Sequence, residues 1–273
     1  LLSSIQLARA GVPCTLIEKN NYPFHRVCGE YISREAIPFL QSLDIFPHHF
    51  HPPHIDTFQL SSTDGHHCTL PLDMGGFGIS RYSFDYFLYQ HAVAAGVRFL
   101  LNTSVTDVVY HEHTFTVYTH HATLHADVVI GAYGKRSKLD VQLKRKFTSK
   151  RSPYVGVKYH AHTSHPAQLI ALHNFEGGYC GVSQVENNVT NICYLTHRDN
   201  VKRYNSLARM EAEVLYKNPF LRDLFLSAQM IFEKPEVINE ITFSTKTPVE
   251  NYMLMVGDAA GMITPLCGNG MAM

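Results

Sequence analysis

The chain has 273 residues; 23 lysines and arginines balance 23 aspartates and glutamates, and 45% of the residues are hydrophobic. This length accommodates one large or two modest domains with buried cores, and the lack of a basic field argues against nucleic acid as a partner. With no apolar run near the roughly 20 residues of a membrane span and no signal peptide, a cytoplasmic protein is expected, peripheral membrane contact being left open.

The first ten residues, "LLSSIQLARA", place Leu1, Leu2, Ile5 and Leu7 in a helical pattern that Gly11 ends. A short buried strand from Val12 to Ile17 follows and closes on Glu18 and Lys19. Helix, turn, strand and acid form the back half of a βαβ unit. In such a unit the acid accepts hydrogen bonds from ribose hydroxyls, while a preceding glycine turn holds the pyrophosphate. That turn would lie before Leu1, and without it a dinucleotide is expected to bind poorly.

Beyond the loop "KNNYPFHRVCGEYI", Ser33 can cap a helix from Arg34 to Leu43. The pattern then turns to strands: "DTFQLSS", "HHCTLPL" and "GFGIS". "SFDYFLYQHAVAAG" is an amphipathic helix with Ser83 as its N-cap and Gly96 as its end, and "VRFLL", "SVTDVVYH", "TFTVYTH" and "DVVIGAYG" are further strands. Pro153 to Thr196 alternates like an antiparallel sheet. A helical region from Asn200 to Leu226, the strand "EVINEITFST" and the apolar "YMLMV" complete the chain up to Val256. Six cysteines without a C-x-x-C pair suit a reducing compartment, so no disulfide is expected. The histidines of "FPHHFHPPH" lack H-E-x-x-H or mixed Cys/His spacing and read as solvated loop residues, so no metal is expected.

The final segment, "VGDAAGMITPLCGNG", carries the densest chemistry. Gly257 permits close backbone approach, Asp258 can accept a hydroxyl, Pro265 stiffens the turn, and Gly268, Asn269 and Gly270 present N–H groups suited to a negatively charged ligand. Three further stretches belong with it: Arg81, Phe84, Asp85 and Leu88 in the pattern R-x-x-F-D-x-x-L; Asp127, Gly131, Ala132, Gly134 and Ser137 in "DVVIGAYGKRS"; and "YPFHRVCGEYIS". Together they resemble the flavoprotein monooxygenase and geranylgeranyl-reductase superfamily.

The resemblance implies an α/β fold with a glutathione-reductase-like FAD-binding domain and an interrupting β-rich substrate domain. The expected division is an FAD-binding domain over residues 1–150 with a β insertion near 55–80, a substrate domain over 151–248, and a return to the first domain over 249–273. It also implies FAD as cofactor, held by Glu18, Lys19, Arg26, Cys28, Gly29, Arg81, Val105, Gly257, Asp258, Pro265, Gly268, Asn269 and Gly270, with NAD(P)H as an electron donor. Arg81 would lie beside the ribityl chain or pyrophosphate, and the Val105 backbone beside the adenine. Cys28 reads equally as a small buried residue or as a redox or substrate-lining group.

Tyr133 stands where the monooxygenases of the superfamily have an acid, which favours a flavin-linked reductase of an unsaturated, apolar substrate. A monooxygenase acting on a small or polyketide-like substrate is the alternative, and a non-catalytic flavin- or lipid-binding protein a third reading. The halogenase signature W-x-W-x-I-P is absent and the chain has no tryptophan, which argues against halogenation. No catalytic residue is assigned.

Overall fold

A computed structural model describes residues 1–149, 152–268 and 270–272, the side chains of Glu240 and Cys267 excepted. In chain order it opens with α1 (Leu2–Arg9), β1 (Thr15–Ile17), β2 (Tyr31–Ser33), α2 (Ile37–Ser42), β3 (His54–Ser61), β4 (His67–Gly78) and α3 (Arg81–Ala94). Next come β5 (Arg98–Leu100), β6 (Val105–His111), β7 (Thr114–Thr119), β8 (Thr123–Ala126), β9 (Ile130–Gly131) and α4 (Lys138–Gln142). The second half holds β10 (Tyr154–His162), β11 (Leu169–Phe175), β12 (Gly178–Gln184), β13 (Thr190–His197), α5 (Arg198–Tyr204), α6 (Leu207–Glu213) and α7 (Pro219–Ser227). The short strands β14 (Gln229–Met230), β15 (Glu236–Ile241), β16 (Val249–Glu250) and β17 (Met253–Met255) complete it. Among the described residues no helix is long and apolar enough to cross a membrane.

The chain divides into two compact units, each assembled from three segments. The first takes Leu1–Phe24, Tyr82–Arg151 and Thr242–Ile263. Here β1 pairs in parallel with β5, β6, β7 and β8 form an antiparallel meander, and β17 lies between β16 and β9. Phe115, Met253, Met255 and Ala259 form a core beneath the last of these sheets.

The second unit takes His25–Arg81, Ser152–Ile241 and Thr264–Met273. Its sheet runs β14-β10-β13-β12-β11-β3-β4-β2, with β15 also paired to β10. Period-2 alternation makes its two faces unlike. Val155, Val157, Tyr159, Ala161, Ala171, Cys180, Val182, Ile192 and Tyr194 point to one side and pack with Met210, Leu215 and Leu221 of the helical region. Within this core Glu211 Oε1 accepts from Tyr159 Oη at 2.9 Å and Tyr194 Oη at 2.7 Å. Burial raises the Glu211 carboxyl above its ordinary range despite those two bonds.

Several elements depart from the sequence reading. The strands near 55–80, expected as an insertion in the first domain, belong to the large sheet, because Thr57–Ser61 pair in parallel with Leu169–His173. "HHCTLPL" and the following glycines form one continuous strand, β4, rather than two. Helix α3 starts at Arg81 rather than after Ser83. Ser33 does precede a helical segment, but the first turn, Arg34–Ala36, is a 3-10 turn without a side-chain cap. Residues Thr123–Ala126 form a strand that the pattern did not signal.

Candidate functional site

In the first unit the predicted ribose acid lies at the end of β1. Glu18 N donates to Leu100 O at 3.0 Å, Glu18 O accepts from Thr103 N at 3.0 Å, and its Oε1 accepts from Asn20 N at 3.0 Å. These bonds bring Glu18 and exposed Lys19 close in the chain path to Val105, where β6 begins.

The Gly257–Asp258 turn follows β17 and is anchored by two cations that the sequence reading did not single out. Arg145, its side chain 1% exposed, pairs with fully buried Asp140 at 2.9 Å and with Glu250 at 3.3 Å. The same guanidinium donates to Ala259 O at 2.9 Å and Thr247 O at 2.8 Å. Lys246 Nζ donates to Asp258 O at 2.6 Å and Lys135 O at 2.7 Å, and lies 4.5 Å from the centre of the Phe147 ring. Burial pulls Lys246 below the ordinary lysine range, with Asp140 opposing that pull. Both cations are spent on backbone carbonyls, so they fix the turn's path.

Tyr133 has a structural explanation here. Its hydroxyl donates to Asp140 Oδ1 at 2.9 Å, while Asp140 Oδ2 accepts from Ser137 N at 2.7 Å and completes a capping box at the start of α4. Burial, then the charge of Asp140, raises the Tyr133 hydroxyl well above its usual range. An aspartate at position 133 would therefore set a second carboxylate beside a buried one.

The turn itself fits FAD. Gly257 has φ +57 and nothing within 4 Å of the position a Cβ would take, so the backbone is open to a close-lying group. Asp258 is half-buried, and no hydrogen bond among the described residues engages its carboxylate. An uncommitted acceptor beside an open glycine suits a ligand hydroxyl.

In the second unit the loop from His25 to Glu30 is strapped across the sheet face opposite the helices. Asn191 Nδ2 donates to Cys28 O at 3.2 Å and Ser183 Oγ to Gly29 O at 3.5 Å. Glu30, fully buried and at φ +55, binds Lys158 Nζ through Oε1 and His160 Nε2 through Oε2 at 2.6 Å. Its Oε1 also accepts from Arg81 N at 2.8 Å, and Glu186 Oε2 accepts from Ser80 N at 2.8 Å. Two carboxylates thus satisfy N–H groups where α3 begins, which is why the helix needs no cap at Ser83.

Burial pushes Glu30 upward, but the Lys158 charge and the His160 bond outweigh it and hold the carboxyl below its ordinary range. His25 stands edge-on to His160 and against Phe232; burial and the neighbouring Lys158 lower it to about 4. The predicted residues Cys28 and Gly268 meet the same region, with Cys28 Sγ 3.9 Å from Met271 Sδ and the Tyr31 ring 3.2 Å from where a Gly268 Cβ would lie. The structure therefore gathers Cys28, Gly29, Arg81 and Gly268 in this unit, with half-buried Arg26 on the same loop and Pro265 and Gly270 flanking Gly268. Asn269 lies outside the described residues. Lys158, His160, Asn191 and Ser183 carried no sequence signal, since only the sheet register brings them under the strap.

A mixed α/β fold with an open Gly-Asp turn and separate glycine-rich loops defines the class of FAD-binding proteins. Over residues 1–273 the chain matches the FAD binding domain family, and it belongs to that family; FAD is its cofactor. In fold it is similar to CmlS, a flavin-dependent halogenase, with TM-score 0.84 and 18% identity over 98% of this chain and 52% of that one. It is also similar to halogenase PltM in complex with phloroglucinol and FAD, with TM-score 0.79 and 18% identity over 99% and 64%. A flavoprotein/dehydrogenase from Cytophaga hutchinsonii matches with TM-score 0.73 and 14% identity over 96% and 69%. The chain spans about half the length of CmlS. No curated protein sequence matches it.

Proposed function

We propose that the whole protein is an FAD-dependent oxidoreductase and, within that class, a flavin-linked reductase of an unsaturated, apolar substrate. The bound flavin supplies the hydride or oxygen chemistry that amino-acid side chains lack. Within the first unit Gly257 and Asp258 are groups that would hold it, and Glu18 would hold the ribose. The observation carrying the reductase reading is Tyr133. Its hydroxyl is committed to Asp140, which is itself committed to Arg145, so this position offers no free carboxylate to a nicotinamide donor.

The test is anaerobic. Protein reduced with dithionite is mixed with a polyprenyl or polyene substrate and the flavin absorbance is followed. Reoxidation with a saturated product is expected; an oxidised product formed only in air, with tight coupling to NADPH, defeats the reductase reading. An oxygen-using reaction is the second reading, favoured by the fold match to flavin-dependent halogenases.

A further inference from the structure

The sheet face under the strap changes character halfway across. On β10, β13 and β12 its registers hold His160, Asn191 and Ser183, then Lys158, Cys193 and Gly181. On β11, β3 and β4 the same registers continue as Ile170, Phe58 and Leu70, then Leu172, Leu60 and Cys68. These six share one side. Leu172 Cδ2 comes within 3.6 Å of where a Gly181 Cβ would sit, while Ser61 and His173, one residue along, bond to each other on the helix side. Ile170, Leu172 and Phe58 are half-buried, yet Leu60 is 37% and Leu70 53% exposed.

We propose that this half-face is a binding ledge for the hydrocarbon body of an elongated, straight-chain ligand whose polar or reacting end lies toward the strap. The proposal rests on the reading of the substrate as apolar and adds its form: extended rather than compact. Continuity is the first support, because the apolar ledge runs on in register from the polar groups that hold the Cys28–Gly29 loop, without a charged residue among the six. Size is the second. Six side chains are far fewer than the roughly 20–30 residues per side of a stable protein interface, whereas three inter-strand steps from Ser183 to Leu70 span about 14 Å, a fitting length for an alkyl or polyene chain. An uncharged surface of this kind on a sheet otherwise pinned by ion pairs calls for an apolar occupant.

The experiment is a fluorescence titration of the protein with parinaric acid, a straight-chain conjugated polyene fatty acid, with FAD affinity followed by flavin fluorescence in parallel samples. Leu60→Gln and Leu70→Gln alter exposed side chains and should leave the circular dichroism unchanged. Each is expected to weaken parinaric acid at least about fivefold, the loss expected when one leucine contact is removed, and to leave FAD affinity unaltered. Leu226→Gln, which alters a leucine 70% exposed on α7, should change neither. Parinaric acid affinity indifferent to both ledge substitutions overturns the proposal, as does a loss that Leu226→Gln reproduces. A dimer in sedimentation that Leu70→Gln dissociates, with parinaric acid binding unaltered, would assign the face to a second copy and overturn it as well. Ledge-dependent binding in a protein that takes up no FAD would support the ledge while removing the flavin reading.

Discussion

Replacing Arg145 by alanine tests whether the Gly257–Asp258 turn is held from behind. The substitution strands Asp140, whose side chain is fully buried, and takes the donors from Ala259 O and Thr247 O. Breaking a buried ion pair from one side costs about 3–5 kcal/mol, and each carbonyl left without its donor adds about 1–3 kcal/mol. These terms share one side chain and do not add fully. A loss of about 4–6 kcal/mol is therefore expected, a large part of the roughly 5–15 kcal/mol of a typical domain. Urea unfolding of the wild type and the variant measures it. Arg145→Lys restores a charge but not the fork that reaches two carbonyls, so it should recover only part of the loss. FAD titration of whichever variant stays folded should show weakened binding, since the Ala259 carbonyl adjoins Asp258. If Arg145→Ala unfolds within about 1 kcal/mol of the wild type, the network is not the anchor described.

Two further outcomes are expected. Asp258→Ala and Arg81→Ala should each remove a ligand contact of about 1.5–3 kcal/mol if buried, lowering FAD affinity at least tenfold in fluorescence titrations; unchanged affinity for both, with the fold intact, refutes their assignment. His173, beside Ser61 and facing His165 and His67, is lowered by burial and then by those two histidines to about 4. Its unfolded form takes up a proton near 6.5 while the native form does not, so stability is full above pH 6.5 and falls as the pH drops toward 4, by about 3 kcal/mol for this group. His173→Gln should flatten that part of the profile, and an identical pH dependence in wild type and variant would falsify the claim.

What the sequence disclosed was local. Helix α1 ends at Arg9, just before the Gly11 that the pattern gives as its stop, and β11 alternates in burial over Ile170–Phe175 as an antiparallel-sheet pattern predicts. Gly257 and Asp258 likewise stand in one turn whose openness the motif anticipates. Long-range pairing was not legible. Nothing in "DTFQLSS" announces that it lies parallel to Leu169–His173, so local pattern alone does not place the 55–80 region in its sheet. The start of α3 is illegible for the same reason, since Glu30 and Glu186 perform the capping and come from positions 51 and 106 residues away. Thr123–Ala126 alternates polar and apolar, but four residues ending in an alanine of low strand propensity are too short for that alternation to stand out.

The pairing of Glu30 with Lys158 spans 128 residues of chain. At a synthesis rate of about 5–20 residues per second, roughly 6–25 s pass between the emergence of the carboxylate and that of its ammonium partner. During that interval the nascent strap can only be hydrated, and the parallel partner of β3 does not yet exist either. The large sheet closes late, from its second half back onto its first, so its folding is governed by non-local closure and should be slow beside that of its helices. Pauses or truncations before His160 would release a chain whose His25–Glu30 loop has nothing to rest on.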